Sequence, residues 1–75
     1  MNIKVLGGGC KNCEALLRSV KKAVANKEVH AEVKYITDME KIMEYGVMSM
    51  PALMIDDKIV SAGKVLKAKD VEKLL

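Results

Sequence analysis

A chain of 75 residues is read as one domain, residues 1–75, near the lower size limit at which apolar burial alone sustains a fold. With 51% hydrophobic residues, two Tyr and neither Phe nor Trp, its core is expected to be aliphatic and methionine-filled. The net charge of +3 is scattered and lacks the interleaved aromatics that stack on bases, which argues against a nucleic-acid partner. No apolar run approaches the ~18 residues of a membrane span, which argues against a membrane one.

Ile3 to Leu6 reads as a first strand, too short and too patterned for a signal peptide, and Gly7-Gly8-Gly9 breaks it. From Cys13 the apolar positions Leu16, Leu17, Val20, Ala23 and Val24 fall at helical spacing, and Asn26 is the expected end of that helix. Val29, Ala31, Val33 and Tyr35 then alternate with His30, Glu32 and Lys34, the pattern of a sheet-edge strand with one wet side. Thr37-Asp38-Met39-Glu40 has capping-box spacing, with Thr37 as the cap, and Met39, Ile42 and Met43 form a short stripe that Gly46 can stop. Ala52-Leu53-Met54-Ile55 reads as an inner strand, Asp56-Asp57 as a turn, and Ile59-Val60 as the start of its partner. Ala68, Val71, Leu74 and Leu75 make a last helical face with no good N-cap. The order is βαβαββα, an α/β chain: a parallel pair joined by a right-handed crossover, then an antiparallel hairpin.

Both cysteines lie in Cys10-Lys11-Asn12-Cys13, where the first strand gives way to the first helix. Unpaired N–H groups and the positive end of the helix dipole there stabilise a thiolate over a thiol. A thiolate is the attacking species in disulfide exchange and also a ligand for soft metals. In the reducing cytoplasm, the default location for this chain, a lone CxxC is catalytic or metal-binding rather than a structural staple.

The element order, the CxxC after the first strand and Ser49-Met50-Pro51-Ala52 before the third together resemble the thioredoxin fold in its minimal, glutaredoxin-like size. That fold has a four-stranded mixed sheet flanked by three helices. Within the superfamily the chain is similar to small archaeal and bacterial thioredoxin-like proteins called redox-active disulfide proteins. The resemblance implies a cis peptide at Met50-Pro51 beside the sulfurs, with the Met50 backbone offered to a partner's extended chain. It also implies Cys10 as nucleophile and Cys13 as resolving thiol, with Lys11, Asn12, Met50 and Pro51 contacting the substrate. The physical logic agrees: Cys10 is expected to be exposed at the helix start, and Cys13 begins the buried stripe. The implied activity is protein disulfide oxidoreduction, an electron-transport function of a monomer with an upstream reductase and no cofactor beyond the Cys10–Cys13 disulfide.

Departures from the family pattern are specific. Thioredoxins carry an aromatic residue before the motif and Gly-Pro within it, where this chain has Gly9 and Lys11-Asn12. They also place a buried carboxylate six residues before the first cysteine, and that position is Lys4. Ser61-Ala62-Gly63-Lys64 does not match the paired glycines of glutathione-using glutaredoxins.

The alternative is a soft-metal carrier holding Cu or Zn through Cys10 and Cys13. Small βαββαβ metallochaperone domains also place CxxC after their first strand. They have a methionine two residues before the first cysteine, where this chain has Gly8, and they end in a strand rather than a helix. An adaptor whose thiols sense oxidation is a third reading. Gly7 to Gly9 lack the third glycine of a dinucleotide fingerprint, Asn12 standing in its place, so turn permissiveness explains them better than a phosphate site. Met39, Met43 and Met54 are expected in the core, whereas Met48 and Met50 are expected to contact a partner. His30 and the lysines Lys64, Lys67, Lys69 and Lys73 read as solvated.

Overall fold

The computed structural model describes residues 1–75 and has the expected element order. It comprises β1 (Asn2–Leu6), α1 (Lys11–Lys27), β2 (Glu32–Ile36), α2 (Met39–Glu44), β3 (Ala52–Ile55), β4 (Lys58–Ala62) and α3 (Ala68–Glu72). The four strands form one mixed sheet in the order β2-β1-β3-β4. β1 pairs parallel with β2 and antiparallel with β3, and β3 pairs antiparallel with β4. This is a thioredoxin fold: a sheet of that topology with three helices around it.

Strand alternation divides the interior into two layers. Ile3 and Val5 of β1 and Leu53 and Ile55 of β3 pack with Leu16, Val20 and Ala23 of α1 and Val71 of α3. The opposite phase, Leu6, Ala52 and Met54, packs with Ile42 of α2 and Val47. All four β3 residues are buried, as an inner strand flanked on both faces requires.

The helix ends obey local chemistry, and the structure corrects the sequence reading at four points. α1 runs past Asn26 to Lys27, a cation suited to the helix C-terminus, and the left-handed residue is Glu28 (φ 51°). The cap of α2 is Asp38 rather than Thr37: Asp38 Oδ1 accepts from the Glu40 N–H at 3.0 Å, and Asp is the stronger capping residue. The core is also less methionine-rich than composition implies. Met54 is buried, but Met39 and Met43 are 47% and 71% exposed, because the six-residue α2 buries Ile42 alone. β2 is an edge strand as its alternation predicts, yet Val29, His30 and Ala31 lie before it. α3 begins without a side-chain cap from Lys67; Asp70 Oδ2 instead reaches back to the Lys67 N–H at 3.4 Å. The β3–β4 turn places both Asp56 (φ 48°) and Asp57 (φ 68°) in the left-handed region, as a tight hairpin demands. No helix is long and apolar enough to cross a membrane.

Candidate active site

The parallel strand β1 delivers its C-terminal end to the start of α1, and the two cysteines are joined there in a disulfide with Cα atoms 5.1 Å apart. Their environments differ sharply. Cys10 is the N-cap residue of α1 and is exposed to solvent. Cys13, one turn along, is 0% exposed and opens the buried stripe of α1. The Cys13 N–H donates to Cys10 Sγ at 3.2 Å, and the Glu14 N–H donates to the Cys10 carbonyl at 3.0 Å. The Cys10 sulfur therefore receives a hydrogen bond from one of the orphan donors of the helix start and sits at its positive end. Both features favour negative charge on sulfur when the disulfide is reduced. Lys11 and Asn12 are exposed beside it.

The three glycines before Cys10 do three different things, which their repetition in sequence conceals. Gly9 has φ +86° and makes the turn. Gly8 borders the thioether of Met39: a Cβ there would lie 4.0 Å from Met39 Sδ. Gly7 is buried and close-packed on Cys13, where a Cβ would collide with Cys13 Sγ and come within 2.7 Å of Cys13 Cβ. The Gly7 N–H donates to the Ile36 carbonyl at 3.0 Å, which ties this contact to the sheet. Sequence reasoning missed the part played by Gly7, since any of three glycines could have served the turn.

The second motif leads into β3, whose first residue Ala52 pairs with Leu6 at the end of β1 that feeds the cysteines. The Met50–Pro51 peptide is cis, Pro51 is buried, and Met50 is 40% exposed. Neither the N–H nor the C=O of Met50 takes part in a backbone hydrogen bond. The Pro51 carbonyl accepts from the Gly63 N–H at 2.9 Å. Gly63 has φ +74°, and a Cβ on it would press to 3.1 Å from Ser49 Cβ. Gly63 thus holds the end of β4 against the proline loop, a contact invisible in the sequence because 14 positions separate Ser49 from Gly63. Met48 is 97% exposed and Met39 stands at the rim of the glycine loop.

Lys4, at the position where the resembled family has a carboxylate, serves the opposite end of the sheet. Its Nζ donates to the Tyr45 hydroxyl at 3.3 Å, sits 5.2 Å from the Tyr45 ring centre, and lies 3.4 Å from Asp57 Oδ1. The Tyr45 hydroxyl, chiefly, holds the ammonium above its ordinary pKa; partial burial opposes this and Asp57 reinforces it. Asp57 belongs to the hairpin whose Asp56 N–H donates to the Asn2 carbonyl, so this pair anchors the end of β1 remote from Cys10. His30 is exposed and distant in the fold from the cysteines, in the segment before β2. No group of three or more His, Cys, Asp or Glu side chains is arranged to hold a metal ion.

Comparison with known proteins agrees with this geometry. A family model described as a thioredoxin domain matches residues 1–75. The chain is similar to a protein named thioredoxin from Methanothermobacter thermautotrophicus, at 32% identity over 75 residues, covering 100% of this chain and 97% of that one. It is also similar to a thioredoxin of Methanocaldococcus jannaschii, at 34% identity over 73 residues, covering 97% of this chain and 84% of the relative.

Proposed function

The chain belongs to the thioredoxin family, and on that premise we propose that it is a protein disulfide oxidoreductase in which Cys10 attacks and Cys13 resolves. The observation that carries the reading is the disulfide between an exposed helix-capping Cys10 and a fully buried Cys13. The family works through this disulfide without a cofactor.

In the reducing direction the Cys10 thiolate attacks one sulfur of a partner disulfide. A Cys10–partner mixed disulfide forms and the partner's second sulfur leaves as a thiolate, which takes up a proton. Cys13, on losing its proton, attacks Cys10 Sγ, closes the Cys10–Cys13 disulfide and expels the partner's first thiolate. Two electrons and two protons have then passed to the partner, and an upstream reductase returns them to the pair. Burial keeps Cys13 from competing for external disulfides, while its place one helical turn from Cys10 makes its attack intramolecular. The free N–H and C=O of Met50 are suited to pairing with an extended segment of the partner against Pro51, and the exposed Lys11 and Asn12 are the further substrate contacts. We read residues 1–75 as one domain acting as a monomer in the cytoplasm, where reducing conditions suit a working dithiol.

The test is a pair of serine variants assayed for reduction of a protein disulfide. Cys10→Ser is expected to abolish turnover, and Cys13→Ser to accumulate a mixed disulfide that mass spectrometry locates on Cys10. Turnover retained by Cys10→Ser would overturn the assignment of roles.

A further inference from the structure

The rim of the active site is chemically two-sided. On the α2 side stand Met39, next to Gly8, and the acidic residues Asp38 and Glu40. On the α1 and α3 side stand lysines. Lys11 directly follows Cys10, Lys64 directly follows the Gly63 that is bonded to the Pro51 carbonyl, and Lys67, three positions later, immediately precedes α3. All three are exposed. None has a partner within ion-pair distance, since the two ion pairs of the molecule are Lys4–Asp57 and Lys34–Glu32. The acids on this side are Glu14, in the first turn of α1, and Asp70, whose carboxylate is turned to the Lys67 N–H.

Lys11, Lys64 and Lys67 come from two stretches of chain that the topology brings to one end of the sheet, because Leu6 at the end of β1 pairs with Ala52 and the Gly63 N–H bonds the Pro51 carbonyl. Exposed and without ion-pair partners, they raise the potential at that end of the molecule, where a partner must approach. The Debye length of about 8 Å at physiological ionic strength confines that potential to charges on the rim itself. We propose that the protein partner of this chain presents its disulfide on a segment rich in carboxylates, which fall on Lys11, Lys64 and Lys67 while Asp38 and Glu40 turn acidic residues away from the α2 side. The proposal rests on the oxidoreductase reading and names the substrate class for that site. Electrostatic complementarity of this kind acts mainly on the rate of productive encounter.

The experiment uses three synthetic peptides, each with one disulfide, flanked by glutamates, by serines or by lysines, with dithiothreitol as the electron source. Each turnover moves two electrons and two protons from dithiothreitol through the Cys10–Cys13 pair to the peptide, and dithiothreitol leaves as its cyclic disulfide. At low salt the glutamate peptide is expected to exceed the lysine peptide in kcat/KM by roughly tenfold or more, with the difference shrinking at high salt. The Lys64→Glu/Lys67→Glu variant should reverse that order and leave the serine peptide unchanged. Lys21→Glu/Lys22→Glu changes net charge equally but lies about 15 Å along α1 from Lys11, and should preserve it. Equal turnover of acidic and basic peptides, or equal loss of preference in both variants, overturns the lysine assignment alone. No turnover of any peptide, the serine peptide included, overturns the oxidoreductase reading and this proposal with it.

Discussion

The two faces of the sheet are built to different depths. Against α1 and α3 the sheet buries a cluster of eight residues, with Leu16, Val20 and Ala23 stacked along one 17-residue helix. Against α2 it buries five, and the helix itself contributes Ile42 alone. Cys13 grows out of the deep face, whereas Met39, Met48 and Met50 stand around the shallow one. The difference separates two demands. On the proposed roles, the resolving sulfur must stay at a fixed place relative to Cys10, and Cys13 is fully buried on the stripe of α1 that continues into Leu16 and Val20. On the proposed function, the surface that meets partners must adapt, and flexible thioethers over a thin core suit that.

Truncating one residue on each face sharpens the contrast and carries the largest effect. Leu16→Ala removes a fully buried side chain from rigid surroundings and should cost toward the upper part of the roughly 2–5 kcal/mol range for such changes. In a domain of this size the Tm should then fall by on the order of 15 °C or more. Ile42→Ala is buried as completely, but its neighbours Met39 and Met43 are free to collapse into the space, so about 2 kcal/mol is expected. Equal losses on thermal melting would mean that the two faces do not differ in compliance.

Gly7→Ala tests the seam where the deep face reaches the sulfurs. The added methyl meets Cys13 Sγ and Cβ rather than a forbidden backbone angle, so the expected cost of about 1–3 kcal/mol comes from displacing Cys13. The readout specific to that displacement is a longer-lived mixed disulfide in single-turnover exchange. Gly9→Ala is the control: its Cβ would touch nothing within 4 Å, and its cost is the positive φ. It should lose stability by about 1–2 kcal/mol with the resolution step unchanged. The same lifetime in both variants would sever Gly7 from the chemistry.

The same contrast accounts for what was legible in the sequence. The deep face announces itself through periodicity: Leu16, Val20 and Ala23 repeat at helical spacing, and Ile3, Val5, Leu53 and Ile55 fall in strand phase. The position of the disulfide follows from CxxC at a strand-to-helix junction, and that of Pro51 from its place before an apolar run. The shallow face was misread because six residues are too few for a period, so Met39 and Met43 were assigned to a core that only Ile42 enters. The sequence favours Thr37 as the cap because Glu40 stands three residues on, whereas the residue three after the true cap, Asp38, is Lys41. The contacts of Gly7 with Cys13 and of Gly63 with Ser49 are tertiary, and no local pattern encodes them.

Lys4 carries the smallest expected effect and tests what substitutes for apolar mass on the shallow face. Leu6 and Met54 supply that face with hydrocarbon, while the Lys4 side chain, 19% exposed, lies over Tyr45 and ends between its hydroxyl and Asp57. Because the folded state raises the Lys4 pKa above its ordinary 10.5, it binds that proton more tightly than the unfolded chain does. The resulting stabilisation is complete below pH 10.5 and is lost as pH rises through the higher folded value. Lys4→Met, which keeps the length of the side chain without the charge, should therefore melt with a shallower alkaline decline than the wild type, the gap between the two curves narrowing above that pH. Parallel curves would show that the Tyr45 and Asp57 contacts contribute nothing. The pH profile of disulfide exchange should stay the same in the variant, since Lys4 is held toward the Asp56-Asp57 hairpin at one end of β1 and the sulfurs lie beyond the other. A shifted profile would instead make Lys4 a participant in moving the Cys13 proton, in the place where the family's carboxylate would stand.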